Sequence, residues 1–384
     1  MNKQNQLAEI NNSGKAYIIY KSKKGFNLYT DFSKKIILNN KNIKNFLKKK
    51  LKNKNRKTDL FIGFFGYELL NDLINVKIPR QKNINFPKGI FYKPEKIINL
   101  SNNLKYKSIK DVRNSDFKIN INKNSYTKIF DKFKKKIKSG ETYQIKICTK
   151  YKTKSKINPL DFFTRLSKTN LAPEAFMIKD KNYSIISCSP ENLITKKGSE
   201  ISTKPIAGTV KKTKSLNKIK ALNYFKKNIK ETKEHNMIVD MERNDLSRVC
   251  KVGSVKLSKQ KIVEEYKDLF HYVSLIKGKL KKNIKNIDII KAMMPGGSVI
   301  GCPKINTLNL LNNQEKENRN IYTGSFGYIK FNGDMRFNII IRSILSFKNF
   351  SEISVASGVV VDSNSSHEFN ENFIKAKALI DLFK

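Results

Sequence analysis

The sequence predicts an α+β protein, with layered antiparallel sheets flanked by helices. Strand-like runs come in groups, and helical stretches separate the groups instead of alternating with single strands. The chain has 384 residues, is 39% hydrophobic and carries 24 Phe and 15 Tyr, which is enough to bury one large core or two fused ones. No internal repeat is evident at periods of roughly 20 to 50 residues, which removes solenoids and propellers.

Taken in order, residues 15–100 hold short β-type runs: KAYIIYKS, NLYTDF, and LFIGFFGYELL with Gly63 and Gly66. The basic stretch from Lys41 to Lys57 reads as an exposed helix or loop, and Ser101 to Lys123 as a polar, Lys-rich connector. These features divide the chain into an N-terminal portion, residues 1–118, packed on a main domain, residues 119–384. Past Tyr126 the pattern is regular. A basic amphipathic helix within YTKIFDKFKKKIKSGETY ends at Gly140, which suits a left-handed C-cap. Strand-like YQIKICTKY, AFMIKD, YSIISCSP, NLITKKG and EISTKPI follow, and then a long helical pattern from Ser215 to Asp245. Another helix starts near Ile287 and is interrupted by PGGSVIGCPK. The alternating runs YTGSFGYIKFNG, RFNIIIRSILSF and SEISVASGVVV come next, and a final helix covers Ser366 to Lys384.

The formal net charge is +46, from 78 Lys+Arg against 32 Asp+Glu. Such a charge first suggests nucleic acid. Only nine of these cations are Arg, the residue that reads guanine edges, and the lysines are spread through the whole chain among Asn and Ile. That pattern is a chain-wide compositional bias and not a designed patch, so no specific nucleic acid is expected, only incidental polyanion binding. The longest apolar candidate, Leu60 to Tyr67, is too short to span a bilayer, so no membrane is expected. The N-terminus lacks the apolar core of a secretory signal. Cys148, Cys188, Cys250 and Cys302 are scattered singly, without a CxxC pair. A cytoplasmic protein is the expectation.

Four features exceed what fold-making needs. Ser189-Pro190-Glu191 at a strand end is followed by Pro205-Ile206-Ala207-Gly208-Thr209, where a Gly-Thr step offers a backbone N–H and a hydroxyl to an anion; an ordinary hairpin turn would read the same way. Glu234-His235 lies in a helical stretch running to Asp245. In the last helix Glu368, Glu371 and Lys375 fall on one face, which either gathers functional groups or makes an i,i+4 salt bridge. PGGSVIGCPK is rich in glycine but lacks the GxxxxGK[ST] spacing of a phosphate loop.

In chain order, SGETYQIKICTKY, SPENLITKKGSEISTKPIAGT, EHNMIVDMERNDLSRVC, HYVSLIKGKL, MPGGSVIGCPKINTLNLL, YTGSFGYIKFNG, IIIRSI, ASGVVVDS and HEFNENFIKAKAL resemble the chorismate-utilising enzymes. FIGFFGYELLNDL, starting at Phe61, resembles that family's N-terminal glycine segment. The resemblance implies the fold of anthranilate synthase component I. It also implies Mg2+ held by Glu234 and Glu371, and Glu191 as the acid that protonates a departing 4-hydroxyl. His271 is implied beside the ring, where it assists polarisation; a buried, hydrogen-bonded structural histidine is the alternative. Substrate carboxylates would meet Arg342, Lys375, Tyr328 and backbone N–H groups near Gly208 and Gly358, with Thr209 in the same loop.

The water-using members of the family carry a lysine base where this chain has Gln144. A glutamine cannot deprotonate water, so the resemblance points to ammonia, supplied by a partner glutamine amidotransferase. The product class is divided between two residues. Ser298, in Pro295-Gly296-Gly297-Ser298, resembles aminodeoxychorismate synthase component I of p-aminobenzoate and folate synthesis. Ala207 stands where many of those enzymes place a lysine, and resembles anthranilate synthase component I of tryptophan synthesis. Lys204 is a poor substitute for that lysine, because a strand would point it to the opposite face.

Overall fold

The computed structural model describes residues 3–384 except 50, 77, 79–85, 103, 105, 107–115, 156, 214 and 267–268. Among the described residues, eighteen strands link into one hydrogen-bonded network, and every pair is antiparallel. The expected layers are therefore regions of one curled sheet with helices against it.

The N-terminal portion is stitched into the rest by main-chain bonds as well as by packing. Strand Tyr17–Lys21 pairs with Glu174–Lys179, and Leu60–Phe65 pairs with Ser325–Lys330. Both contacts cross the boundary at residue 118. Phe176 and Phe326 stack 3.7 Å apart where these regions meet, inside an aromatic cluster with Tyr20 and Phe64. Within the polar connector of residues 101–123, positions 103, 105 and 107–115 lie outside the described residues, and a short strand, Lys118–Ile119, pairs with the strand Gln144–Thr153. In the basic stretch, Ile43–Lys48 forms a short helix whose Ile43 and Leu47 are buried.

Three elements position the cavity described below. Strand Gln144–Thr153 pairs with Phe350–Val359 from Ile145 to Thr153, which sets Gly358 opposite Lys146. The long helical pattern of residues 215–245 is two helices, Lys218–Lys227 and Ile229–Ser247. Asn228 ends the first, and its side chain caps the second by accepting from the Glu231 N–H at 3.1 Å. An Asn offers its own oxygen to a helix start more readily than it extends a helix, so the pattern breaks there. The last helix, Ser365–Ile380, begins under a second asparagine cap: Asn364 accepts from the N–H groups of Ser366 and His367. It packs on strand Phe350–Val359 and on the basic helix Lys123–Lys138, which ends before Gly140 at φ +78° as its sequence suggests.

Candidate active site

A cavity of about 1330 Å3 opens between the helix Ile229–Ser247, the last helix, and the ends of the strands carrying Gln144 and Gly358. Gln144, Glu191, Gly208, Thr209, Glu234, Arg342, Gly358, Glu371 and Lys375 all line it. A second cavity of about 190 Å3 shares Glu191, Thr209, Arg342 and Lys375 with it, and adds His271. Ten of the eleven residues singled out from the sequence thus surround one connected region.

Tyr328 is the exception, and its expected substrate contact is corrected. It lines neither cavity. Its strand is bonded to Leu60–Phe65, and its ring lies edge-on to Tyr20, 6.5 Å away, within the aromatic cluster that joins the N-terminal portion to the sheet.

Two carboxylate pairs enter the cavity from two helices. Glu231 and Glu234 are one turn apart on the first, and Glu368 and Glu371 one turn apart on the last. Ligand atoms of His367, Glu368 and Glu371 come within 4.8 Å of one another. Glu234 Oε1 accepts from Gln144 Nε2 at 3.1 Å and from Lys146 Nζ at 3.3 Å. Residues 144 and 146 reach the same oxygen because alternate strand residues share a face. The strand opposite has no side chain at Gly358, where a Cβ would come within 2.9 Å of Lys146 Nζ and 3.0 Å of Gln144 Nε2. The i,i+4 salt bridge anticipated between Glu371 and Lys375 is present at 2.6 Å, and Lys375 also donates to the Ala356 carbonyl. The Lys146 ammonium depresses the Glu234 pKa against the opposing effect of burial. Burial would pull Lys146 down, yet Glu234, Glu371 and Glu368 outweigh it and hold the amine protonated.

Glu191 is built differently. It is buried, and Oε1 accepts from the Ser298 hydroxyl at 2.7 Å. Burial pushes its pKa up to about 7, although Ser298, Lys146 and Arg342 all oppose the shift. It can therefore hold and release a proton near neutrality. The Arg342 guanidinium forms no ion pair or hydrogen bond among the described residues, which leaves its donors facing the cavity for an anion.

His271 Nδ1 lies 2.8 Å from Thr209 Oγ1, its register partner on the neighbouring strand. Burial, helped by Arg342, lowers its pKa to about 4, so it is neutral at physiological pH. It is buried and hydrogen-bonded, as the structural alternative requires, yet it also faces the smaller cavity. His235 turns the other way and is bonded through Nε2 to Ser274. Ala207 lines the larger cavity and brings no amine, while Lys204 is ion-paired with Glu264 at 2.5 Å outside both cavities.

Sequence reasoning missed Lys146 and Glu231, and quoted Glu368 and Ser298 without a place in the site. The signals were there: Lys146 is two positions from Gln144 on a strand, and Glu231 three positions from Glu234 on a helix.

A cavity that presents a proton-holding carboxyl, an unpaired guanidinium and opposed carboxylates defines an enzyme site for a small anionic substrate. The chain belongs to the family of chorismate-binding enzymes: the family profile described as chorismate binding enzyme matches residues 4–381. It is 36% identical over 255 residues to aminodeoxychorismate synthase component 1 of Bacillus subtilis, covering 66% of this chain and 54% of that protein. It is 37% identical over 263 residues to anthranilate synthase component 1 of Arthrobacter globiformis, covering 67% of this chain and 50% of the other. The chain thus spans about half the length of these curated relatives. Its fold matches the crystal structure of anthranilate synthase component I from Streptococcus pneumoniae with a TM-score of 0.76 at 25% identity, covering 95% of this chain and 90% of that one. No helix among the described residues is long and apolar enough to cross a membrane.

Proposed function

We propose that the chain aminates chorismate as component I of an aminodeoxychorismate synthase, with ammonia delivered by a glutamine amidotransferase partner. The observation that carries this reading is Glu191, buried, hydrogen-bonded to Ser298 and facing a cavity in which Gln144 replaces a lysine base. Chorismate carries two carboxylates and a 4-hydroxyl. Glu191 gives its proton to that oxygen, which then departs as water and not as hydroxide. Arg342 receives one substrate carboxylate through its free donors. Backbone N–H groups near Gly208 and Gly358, with Thr209 and Lys375, complete the anion contacts. Gln144 carries no basic nitrogen, so it does not generate hydroxide from water, and ammonia is the nucleophile.

Mg2+ fits the donor set, because Glu234 and Glu371 present hard carboxylate oxygens in one cavity with Glu231 and Glu368 beside them. When bound, the ion supplies positive charge that holds a substrate carboxylate and draws electron density from the ring.

Anthranilate synthase component I is the second reading, and Ala207 favours it. No amine is present at residue 207, and the Lys204 amine is engaged by Glu264. Neither residue then offers the amine that a covalent route through that loop needs, which supports direct entry of ammonia into the ring.

Incubation of the chain with chorismate, Mg2+ and ammonium, followed by mass and fluorescence analysis, separates the readings. The first gives a non-fluorescent amino product that becomes p-aminobenzoate once a lyase is added. Direct anthranilate fluorescence replaces it with the second. No amino product from a folded chain with ammonium present overturns both.

A further inference from the structure

Lys146 has no place in the chemistry proposed above, yet it occupies the centre of the site. Its side chain is only 13% exposed. It lines both cavities, as Glu191 and Arg342 do. The room it fills is left by Gly358, and its ammonium rests on Glu234 Oε1, the oxygen that Gln144 also donates to.

Both carboxylates assigned to the cation thus already hold an ammonium of the chain itself, Glu234 that of Lys146 and Glu371 that of Lys375. The two lysines are not equivalent. Lys375 is one i,i+4 step from its partner and is anchored to the Ala356 carbonyl, so it can stay in place. Lys146 reaches in from another element. Its four-carbon stem is flexible, and its contact is the longer of the two, at 3.3 Å against 2.6 Å.

We infer that Lys146 is a tethered counter-cation that competes with the divalent ion for Glu234 and swings off that oxygen when the ion binds. The inference rests on the reading of the carboxylate cluster as a Mg2+ site. A monovalent ammonium and a divalent ion on one carboxylate repel each other in a region poorly screened by water. The lysine therefore keeps the empty cluster from self-repulsion and weakens metal affinity.

The test is titration of the full chain with Mn2+, followed by electron paramagnetic resonance of the free ion, for wild type, Lys146→Met, Lys146→Gln and Lys377→Met. Lys377 pairs with Asp381 near the end of the same last helix and lines neither cavity, so it controls for the loss of one positive charge. Both Lys146 variants should bind Mn2+ roughly tenfold more tightly or better, with Lys377→Met within about twofold of wild type. Circular dichroism melts establish that each variant is folded, and either Lys146 variant suffices. Wild-type binding that is equalled or exceeded in Kd by a folded Lys146 variant overturns the inference and leaves the metal reading intact. Equal tightening by Lys377→Met also overturns it, because net charge would then be the cause. No Mn2+ binding by any of the four chains removes the metal reading and the inference together.

Discussion

Glu191 combines what a proton donor at neutral pH needs: a buried carboxyl, a pKa raised to about 7 and one neutral hydrogen-bond donor, Ser298. Glu191→Gln should lower kcat by about 10²- to 10⁴-fold with little change in melting temperature, measured with ammonium as nitrogen source. The donor role proposed for Glu191 requires its protonated form, so wild-type kcat should fall as pH rises above about 7, with a slope near −1 on a logarithmic plot. His271 is neutral above about pH 4 and should add no limb between pH 5 and 9. Glu242 tests the same physics away from the reaction. Burial and the neighbouring Asp245 raise its pKa to about 8, against Lys304 and the hydroxyl of Thr203. The folded chain then binds a proton that the unfolded chain has released between the ordinary glutamate range and about pH 8. Stability from this group is therefore present at low pH and lost as pH rises through that window. Urea unfolding at pH 5 and pH 8 should show a smaller loss of stability for Glu242→Gln than for wild type; an equal loss in both would contradict the assignment.

At the scale of elements, caps and register aim the side chains. Asn228 separates two helices that the hydrophobic pattern alone ran together, and its cap bond to Glu231 fixes the first turn, one turn ahead of Glu234. Asn228→Ala should cost about 1 kcal/mol in chemical denaturation, while Asn228→Ser should recover most of it. Gly358 matters for the space above it. Gly358→Ala places a Cβ against the flexible ends of Lys146 and Gln144 and not against backbone, so stability should change by less than about 1 kcal/mol. The donor pair on Glu234 should nonetheless shift, and kcat/KM should fall at least several-fold. The strand and helix periods of these elements were legible in the sequence, as were the glycine stop at Gly140 and most of the site residues. Tyr328 was misplaced because a strand residue faces whichever neighbour its sheet provides. That neighbour is the N-terminal strand Leu60–Phe65, distant in sequence.

For the whole molecule, the sheet decides which parts stand alone. The division at residue 118 follows composition, but hydrogen bonds between Tyr17–Lys21 and Glu174–Lys179, and between Leu60–Phe65 and Ser325–Lys330, run across it. Residues 119–384 expressed alone would leave these edges unpaired and uncover Phe176 and Phe326. That fragment should lack a cooperative thermal transition and aggregate; a monomeric fragment with a sharp melt would show that the boundary separates independent units. By itself the sequence determined the α+β class and the chorismate-utilising family, and it named ten residues that line the cavities. Those depend on local periodicity and on residue types at fixed spacing. Only the tertiary structure decided that Lys146 sits among the carboxylates, that Glu191 is dry enough to keep a proton, and that Tyr328 belongs to a different cluster. Each of these depends on what distant segments place around a group, since burial and nearby charge set its chemistry.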